Sequence, residues 1–270
     1  HMLTRYRGSG HADGLTLYLG TSPEFFMKRL LAGGSGPVYQ LSHVFRDGES
    51  GRCHNPEFSL LEWYRPGFDH HQLMTEVAAL VTHCLGAKPV EHHAYRDLFS
   101  AELGLDPLTA SLDQLQARAR ESLDVGALSG DRDMWLDLLM SHLVEPTLAD
   151  RGLCFVYDYP ASQAALARLE EKAGQLVGQR FELYVDGVEV ANGYCELTDA
   201  AEQRQRFAAD NERRREHGLA ERPVDEMLLA ALEAGMPDCS GVALGLDRLL
   251  MLAIGQSDIR QVLAFDWARS

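Results

Sequence analysis

The pair Asp186-Gly187, set between the β-prone runs 181–185 and 188–194, constrains this chain more than any other feature. A two-residue β-turn needs residues that accept positive φ, and Asp-Gly is among the few pairs that do. Such a turn makes neighbouring antiparallel strands, pairs Tyr184 with Glu189, and leaves Glu182 on the same face, diagonal to Glu189. Further strand candidates lie at 15–19, 38–45, 57–65, 153–157 and 241–246. Helical apolar spacing runs through 21–32, 69–84, 112–123, 131–148, 199–217, 224–234 and 247–254. A hydroxyl of Thr21 or Ser22 is expected to cap the first of these helices. No repeat or low-complexity linker interrupts the series. The prediction is one α+β domain over 1–270, an antiparallel sheet flanked by helices and not a doubly wound parallel sheet.

Composition narrows the function. With 46% apolar residues among 270 the chain can bury a core, yet no run nears the ~18 to 20 apolar residues of a membrane span. Forty acidic against 25 basic side chains, −15 net, tell against extended binding to a phosphate backbone. Cys53, Cys84, Cys154, Cys195 and Cys239 include no CxxC pair, which points to a reducing, cytoplasmic setting. His1-Met2 reads as a tag remnant, and no signal-peptide pattern follows it.

Within 57–65 alternate side chains share a face, which puts Glu62 and Tyr64 together with Phe58 and Leu60. That pair either grips an ammonium group or decorates an ordinary exposed strand. Glu182 and Glu189 either share a cation, Mg²⁺ with nucleotide phosphates being the usual guest, or one of them faces water. Asn192 and Glu196 continue the polar series. In 241–248 a strand with small residues runs into a helix, with Asp247 placed to cap it and Arg248 in its first turn. Small residues let a flat ligand approach and the arginine suits phosphate, although the same glycines equally mark a bend. There is no GxxxxGK[ST] and no GxGxxG after a strand. His70-His71 and His92-His93 read as surface histidines. Arg204, Arg206, Arg213, Arg214 and Arg215, interleaved with Glu202, Glu212 and Glu216, form either a solvated helix face or a dock for an acidic partner.

Together these segments resemble a known family. Phe45-Arg46, His54-Asn55-Pro56-Glu57-Phe58 and Leu61-Glu62-Trp63-Tyr64 resemble motif 2 of the lysyl branch of class II aminoacyl-tRNA synthetases, and 241–248 resembles motif 3. Phe181-Glu182-Leu183, Glu189 and 192–197 are similar to the segment between them. Within the family the chain most resembles the stand-alone paralogues that join (R)-β-lysine to a lysine of elongation factor P, through Thr21-Ser22-Pro23-Glu24, 62–66 and 236–245. The resemblance implies a ligase that uses ATP and Mg²⁺, forms an aminoacyl-adenylate and pyrophosphate, and passes the acyl group to the acceptor's ε-amine. It implies Arg46 at the α-phosphate, Arg248 at the γ-phosphate, and Asn55, Leu183 and Gly245 at the nucleotide. Glu182 and Glu189 would hold the metal. Ser22, Pro23, Glu24, Glu62, Tyr64, Glu189, Glu196 and Ala243 would line the β-lysine site.

Four departures qualify the likeness. Ala243 stands where lysyl-tRNA synthetases have glycine, and the extra methyl favours a substrate whose amino group is moved by one carbon. No anticodon-binding domain precedes the catalytic segments, and with the acidic charge this favours a protein substrate over tRNA. Arg46-Asp47-Gly48 replaces the family's Arg-Asn-Glu, leaving Glu49 as the nearest substitute, and motif 1, which builds the family's homodimer, is absent. Two alternatives stay open: an α-lysine-activating ligase with another acceptor, and an ATP- and lysine-binding pseudoenzyme with a regulatory role.

Overall fold

The computed structural model describes residues 3–6 and 15–269, so His1-Met2 lie outside the described residues. In chain order the strands are β1 (Leu3–Tyr6), β2 (Leu15–Tyr18), β3 (Val38–Phe45), β4 (Glu57–Pro66), β5 (Val90–Ala94), β6 (Leu153–Pro160), β7 (Leu169–Lys172), β8 (Gln175–Val185), β9 (Val188–Cys195) and β10 (Cys239–Gly245). The helices are α1 (Glu24–Ala32), α2 (His70–Leu85), α3 (Tyr95–Leu103), α4 (Leu112–Ser122), α5 (Arg132–Leu139), α6 (Ala200–Glu216), α7 (Glu226–Gly235) and α8 (Leu246–Ala253). Of the described residues, those up to Pro66, Thr198–Pro237 and those from Ala243 onward form one compact unit. Gly67–Leu197 and Asp238–Val242 form a second. This is an α+β protein, and none of its helices among the described residues is long and apolar enough to cross a membrane.

In the first unit β1 pairs with β2 and β3 with β4, both antiparallel, the latter in unbroken register from Val38↔Tyr64 to Phe45↔Glu57. Helix α1 packs on α7, and Phe25 meets Phe207 with ring centroids 5.9 Å apart. The expected hydroxyl cap of α1 is corrected: Pro23 occupies the N-cap, and Ser22 Oγ accepts the Glu24 N–H at 2.9 Å. Proline's fixed φ and missing N–H cost nothing at a helix entrance. The expected Asp247 cap of α8 is corrected too. Gly245 stands at the N-cap, and Asp247 Oδ2 instead accepts the Ser59 N–H at 2.6 Å, pinning α8 to β4. Along α6 the arginines meet acids: Arg204 bonds Glu226, Arg206 bonds Glu202, Arg213 bonds Asp210, and Arg215 bonds Glu212 and Glu221. That pattern favours a solvated face.

In the second unit the strands run β10-β9-β8-β6-β5, with β7 paired to β8. β8 is antiparallel to β6, β7 and β9, as expected, but β5 joins β6 in parallel, so the sheet is mixed. The sequence reading passes over β5 because Glu91-His92-His93 offers no alternating apolar face, and it also omits α3 and β7. Helix α2 starts in a capping box between Asp69 and Gln72 and buries Leu73, Met74, Val77 and Val81. Helices α3 to α5 bury Tyr95, Phe99, Leu115 and Trp135 in one core with Cys154 and Val156 of β6. The helix expected over 131–148 changes pitch, passing from α5 into a π turn at Met140–Val144 and a 3₁₀ turn at Glu145–Leu148. Pro146 lacks the N–H that another α-helical turn requires.

The hairpin closes as its turn residues require, with φ 48° at Asp186 and 78° at Gly187. Val185 faces Val188 and Tyr184 faces Glu189, and a bulge then shifts the register so that Glu182 faces Asn192. A Cβ on Gly193 would sit 2.4 Å from the Phe181 ring, so glycine is what lets β9 pass it. One histidine reading is corrected: His71 and His92 are exposed, but His70 is 2% exposed, its ring 4.2 Å from that of His71. The helix start at Asp69 turns it inward, a choice that the sequence pattern did not signal.

Candidate active site

Two groups of polar side chains stand out, one in each unit. In the first unit the loop between β3 and β4 begins at Arg46, whose N–H bonds Pro56 O at 2.9 Å. The Phe45 N–H donates to Gly20 O at 2.9 Å, tying this loop to the segment that carries Ser22, Pro23 and Glu24. The Arg46 guanidinium lies 5.1 Å from the Phe58 ring centroid and 3.9 Å from the Glu49 carboxylate, and its side chain is 41% exposed. Arg248, in the first turn of α8, donates to Cys53 O at 3.0 Å and meets His54 Nε2 at 2.7 Å. Burial lowers the His54 pKa, and the charge of Arg248 lowers it further. The imidazole is therefore neutral, and to accept from Arg248 it carries its proton on Nδ1. Asn55 is buried, with its amide NH₂ on Glu57 O at 2.7 Å and its carbonyl on the Trp267 N–H at 3.0 Å. It shapes the loop through backbone contacts.

In the same unit Glu24 bonds Lys28 Nζ at 2.6 Å, and Lys28 is only 1% exposed. Glu62 and Tyr64 are 2% and 3% exposed, so the exposed-strand alternative for β4 is ruled out. A carboxylate and a phenol therefore lie buried together on this strand, the groups that suit an ammonium ion. Along β10 Val242 and Leu244 are buried while Ala243 and Gly245 are half-exposed, so the small residues occupy the accessible side.

The second unit gathers its polar groups on the face of β8 that carries Arg180, Glu182 and Tyr184. Glu182 Oε2 accepts from the hydroxyls of Tyr159 and Tyr184, both at 2.6 Å, and Oε1 accepts from Arg180 at 2.5 Å. Burial, together with the Glu182 charge, holds both phenols well above their ordinary range. Burial opposes the charge of Arg180, but Glu182 outweighs it and keeps the guanidinium firmly protonated. These residues line a cavity of about 520 Å³ together with Tyr95, Asp137, Glu145 and Glu189. Asp137 retains exposed surface, yet burial around its carboxyl and the neighbouring Asp133 push its pKa up to about 6. Leu183 points the other way and is fully buried, which leaves only its backbone for a ligand. Glu196, 1% exposed, is held by its N–H on Cys239 O at 2.9 Å.

The donor chemistry of the cavity suits Mg²⁺. All its carboxylates are hard oxygen ligands, they outnumber the cation, and Glu182 Oε1 keeps a lone pair beyond the one that Arg180 takes. Thus Glu182 and Glu189 meet at one cavity, and Arg46, Arg248 and Asn55 at one loop. Sequence reasoning missed Lys28, His54 as a partner of Arg248, and Arg180 with Tyr159. The signal for Arg180 was present: alternation carried two residues back from Glu182 puts it on the same face. A separate trio, Glu91, His93 and Cys154, places possible ligand atoms within 4.8 Å of one another. Its carboxylate already serves His93 at 2.9 Å and lies 3.9 Å from Arg151, and burial lifts the thiol pKa to about 11.

Comparison with known proteins agrees with this geometry. Residues 5–268 match the family described as tRNA synthetases class II (D, K and N). An elongation factor P–(R)-β-lysine ligase of Pseudoalteromonas translucida is 53% identical over 269 residues, which cover 99% of this chain and 83% of the relative. The ligase of the same name from Salmonella arizonae is 51% identical over 265 residues, 97% of this chain and 81% of the relative. With a buried carboxylate strand, an arginine loop around motif 2 and a motif 3 strand entering α8 all in place, the chain belongs to the class II tRNA synthetases of the D, K and N group.

Proposed function

We propose that this chain, acting over 1–270 as one catalytic domain in the cytoplasm, is an ATP-dependent ligase. It activates (R)-β-lysine and transfers it to the ε-amino group of a lysine of elongation factor P. The observation that carries this reading is the 50–53% identity, over nearly the whole chain, to ligases that bear that name. The substrate carboxylate attacks the α-phosphate of ATP, a P–O bond forms, and the bond to pyrophosphate breaks. The acceptor amine, having lost its proton, then attacks the acyl carbon, the amide forms and AMP leaves.

The residues suit these steps. Arg46, exposed and backed by Phe58, meets the charge that moves on the α-phosphate. Arg248, held by Cys53 O and His54, meets the γ-phosphate. Asn55, Gly245 and the Leu183 backbone frame the nucleotide. Glu182 and Glu189 would hold Mg²⁺, which neutralises phosphate charge when bound. Glu24, Glu62, Tyr64 and Glu196 receive the two ammonium groups, and Ala243 narrows the pocket beside Ser22 and Pro23. The test is amino-acid-dependent ATP–pyrophosphate exchange with (R)-β-lysine, (S)-β-lysine and α-lysine. Exchange foremost with (R)-β-lysine is expected; exchange foremost with α-lysine overturns the substrate assignment, and binding without exchange overturns the enzyme.

A further inference from the structure

Arg180 is not used by the chemistry above, yet it is the most heavily committed cation of the second unit's cavity. Its Nη1 donates to Gln163 O at 2.7 Å, its Nη2 to Glu182 at 2.5 Å and its Nε to Asn192 Oδ1 at 3.3 Å. Its guanidinium carbon lies 4.4 Å from the Tyr159 ring centroid, and its side chain is 17% exposed. Three hydrogen bonds and a ring contact hold it in place, and an arginine does not release its charge by deprotonation. Around it stand the carboxylates of Asp137, Glu145, Glu182 and Glu189, with no second cation among the lining residues. Left alone, four carboxylates around one cavity form a general trap for divalent cations.

We propose that Arg180 is a built-in counter-cation: set against the one Glu182 oxygen that the phenols leave available, it keeps the empty cavity from retaining a divalent cation, so that the metal arrives with its phosphates. The inference rests on the reading of Glu182 and Glu189 as the metal site. Oε2 is saturated by two phenols, so a metal meets only Oε1, the oxygen that already faces the guanidinium. A fixed positive charge there repels a bare divalent ion, and the negative charge of a bound triphosphate offsets that repulsion.

The probe is Mn²⁺ binding to the ATP-free full chain, read by electron paramagnetic resonance, with circular dichroism to confirm folding. Arg180→Gln removes the charge and keeps a donor for Glu182, and it is expected to tighten Mn²⁺ binding roughly tenfold or more over wild type. Arg180→Lys, which keeps the charge, is expected to stay near wild type. Adding Glu182→Gln to Arg180→Gln should abolish the gain. A folded Arg180→Gln that binds Mn²⁺ no more tightly than wild type, while Glu182→Gln still weakens binding, overturns the counter-cation alone. Binding that is indifferent to Glu182→Gln in both backgrounds overturns the metal site beneath it. Should Arg180→Gln fail to fold, Arg180→Lys carries the test: Mn²⁺ binding tightened tenfold with the charge retained overturns the proposal.

Discussion

Arg46 and Arg180 are the same residue in opposite circumstances. Arg46 stands at the mouth of a loop, 41% exposed, with its nearest carboxylate oxygen at 3.9 Å. Arg180 is only 17% exposed in the second unit and bonded at all three nitrogens, to Gln163, Glu182 and Asn192. An exposed, loosely paired guanidinium keeps its donors for an incoming phosphate, whereas a buried one has its donors in use and acts through the field it leaves behind. The contrast teaches that residue type marks the charge and burial decides who receives it.

Four experiments test that contrast. The largest effect is expected from Arg180→Ala, which strips a buried carboxylate of its cation and costs about 3 to 5 kcal/mol of stability, read by urea unfolding. An unfolding midpoint equal to wild type would place Arg180 with the exposed class. Arg248→Ala is expected to lower ATP–pyrophosphate exchange by about 10² to 10³ while the melting temperature stays nearly unchanged. A collapse of the melt would make that arginine structural. Ala243→Gly removes one methyl from the accessible side of β10, and the kcat/KM ratio of α-lysine to (R)-β-lysine should rise by roughly tenfold. An unchanged ratio assigns selectivity to another residue.

The smallest effect belongs to Asp137→Asn. The Asp137 pKa is raised to about 6, so the stability it lends is present below its ordinary value of 3.8 and is lost as pH rises through about 6. The variant should remove that decline from a plot of melting temperature against pH between those limits, by a few tenths of a kcal/mol given the exposure of the residue. A wild-type curve that is flat across the window contradicts the raised value.

Much of the framework was legible because it is local. Asp186-Gly187 accepts the positive φ of its turn, the strand candidates 38–45 and 57–65 match β3 and β4, and helical apolar spacing over 69–84 matches α2. The Tyr184 to Glu189 pairing follows from turn length alone, and the shared face of Glu62 and Tyr64 from alternation along β4. The bulge beyond Tyr184 was not legible, since two hairpin registers differ by one residue without any change in local preference. The edge strand β5 escaped notice because its polar residues find their reason in the parallel partner β6.

What the sequence determined by itself is therefore most of the strands and helices, the hairpin, and the residue types of motifs 2 and 3, because these depend on dihedral preference and periodicity within a few residues. Only the tertiary structure decided that Lys28 is buried against Glu24, that Asp247 holds Ser59 and does not cap α8, and that Arg180 with two tyrosines grips Glu182. Those outcomes turn on desolvation and on partners distant in the chain. A charge has no fixed role until burial has removed its water and set a donor or an acceptor beside it.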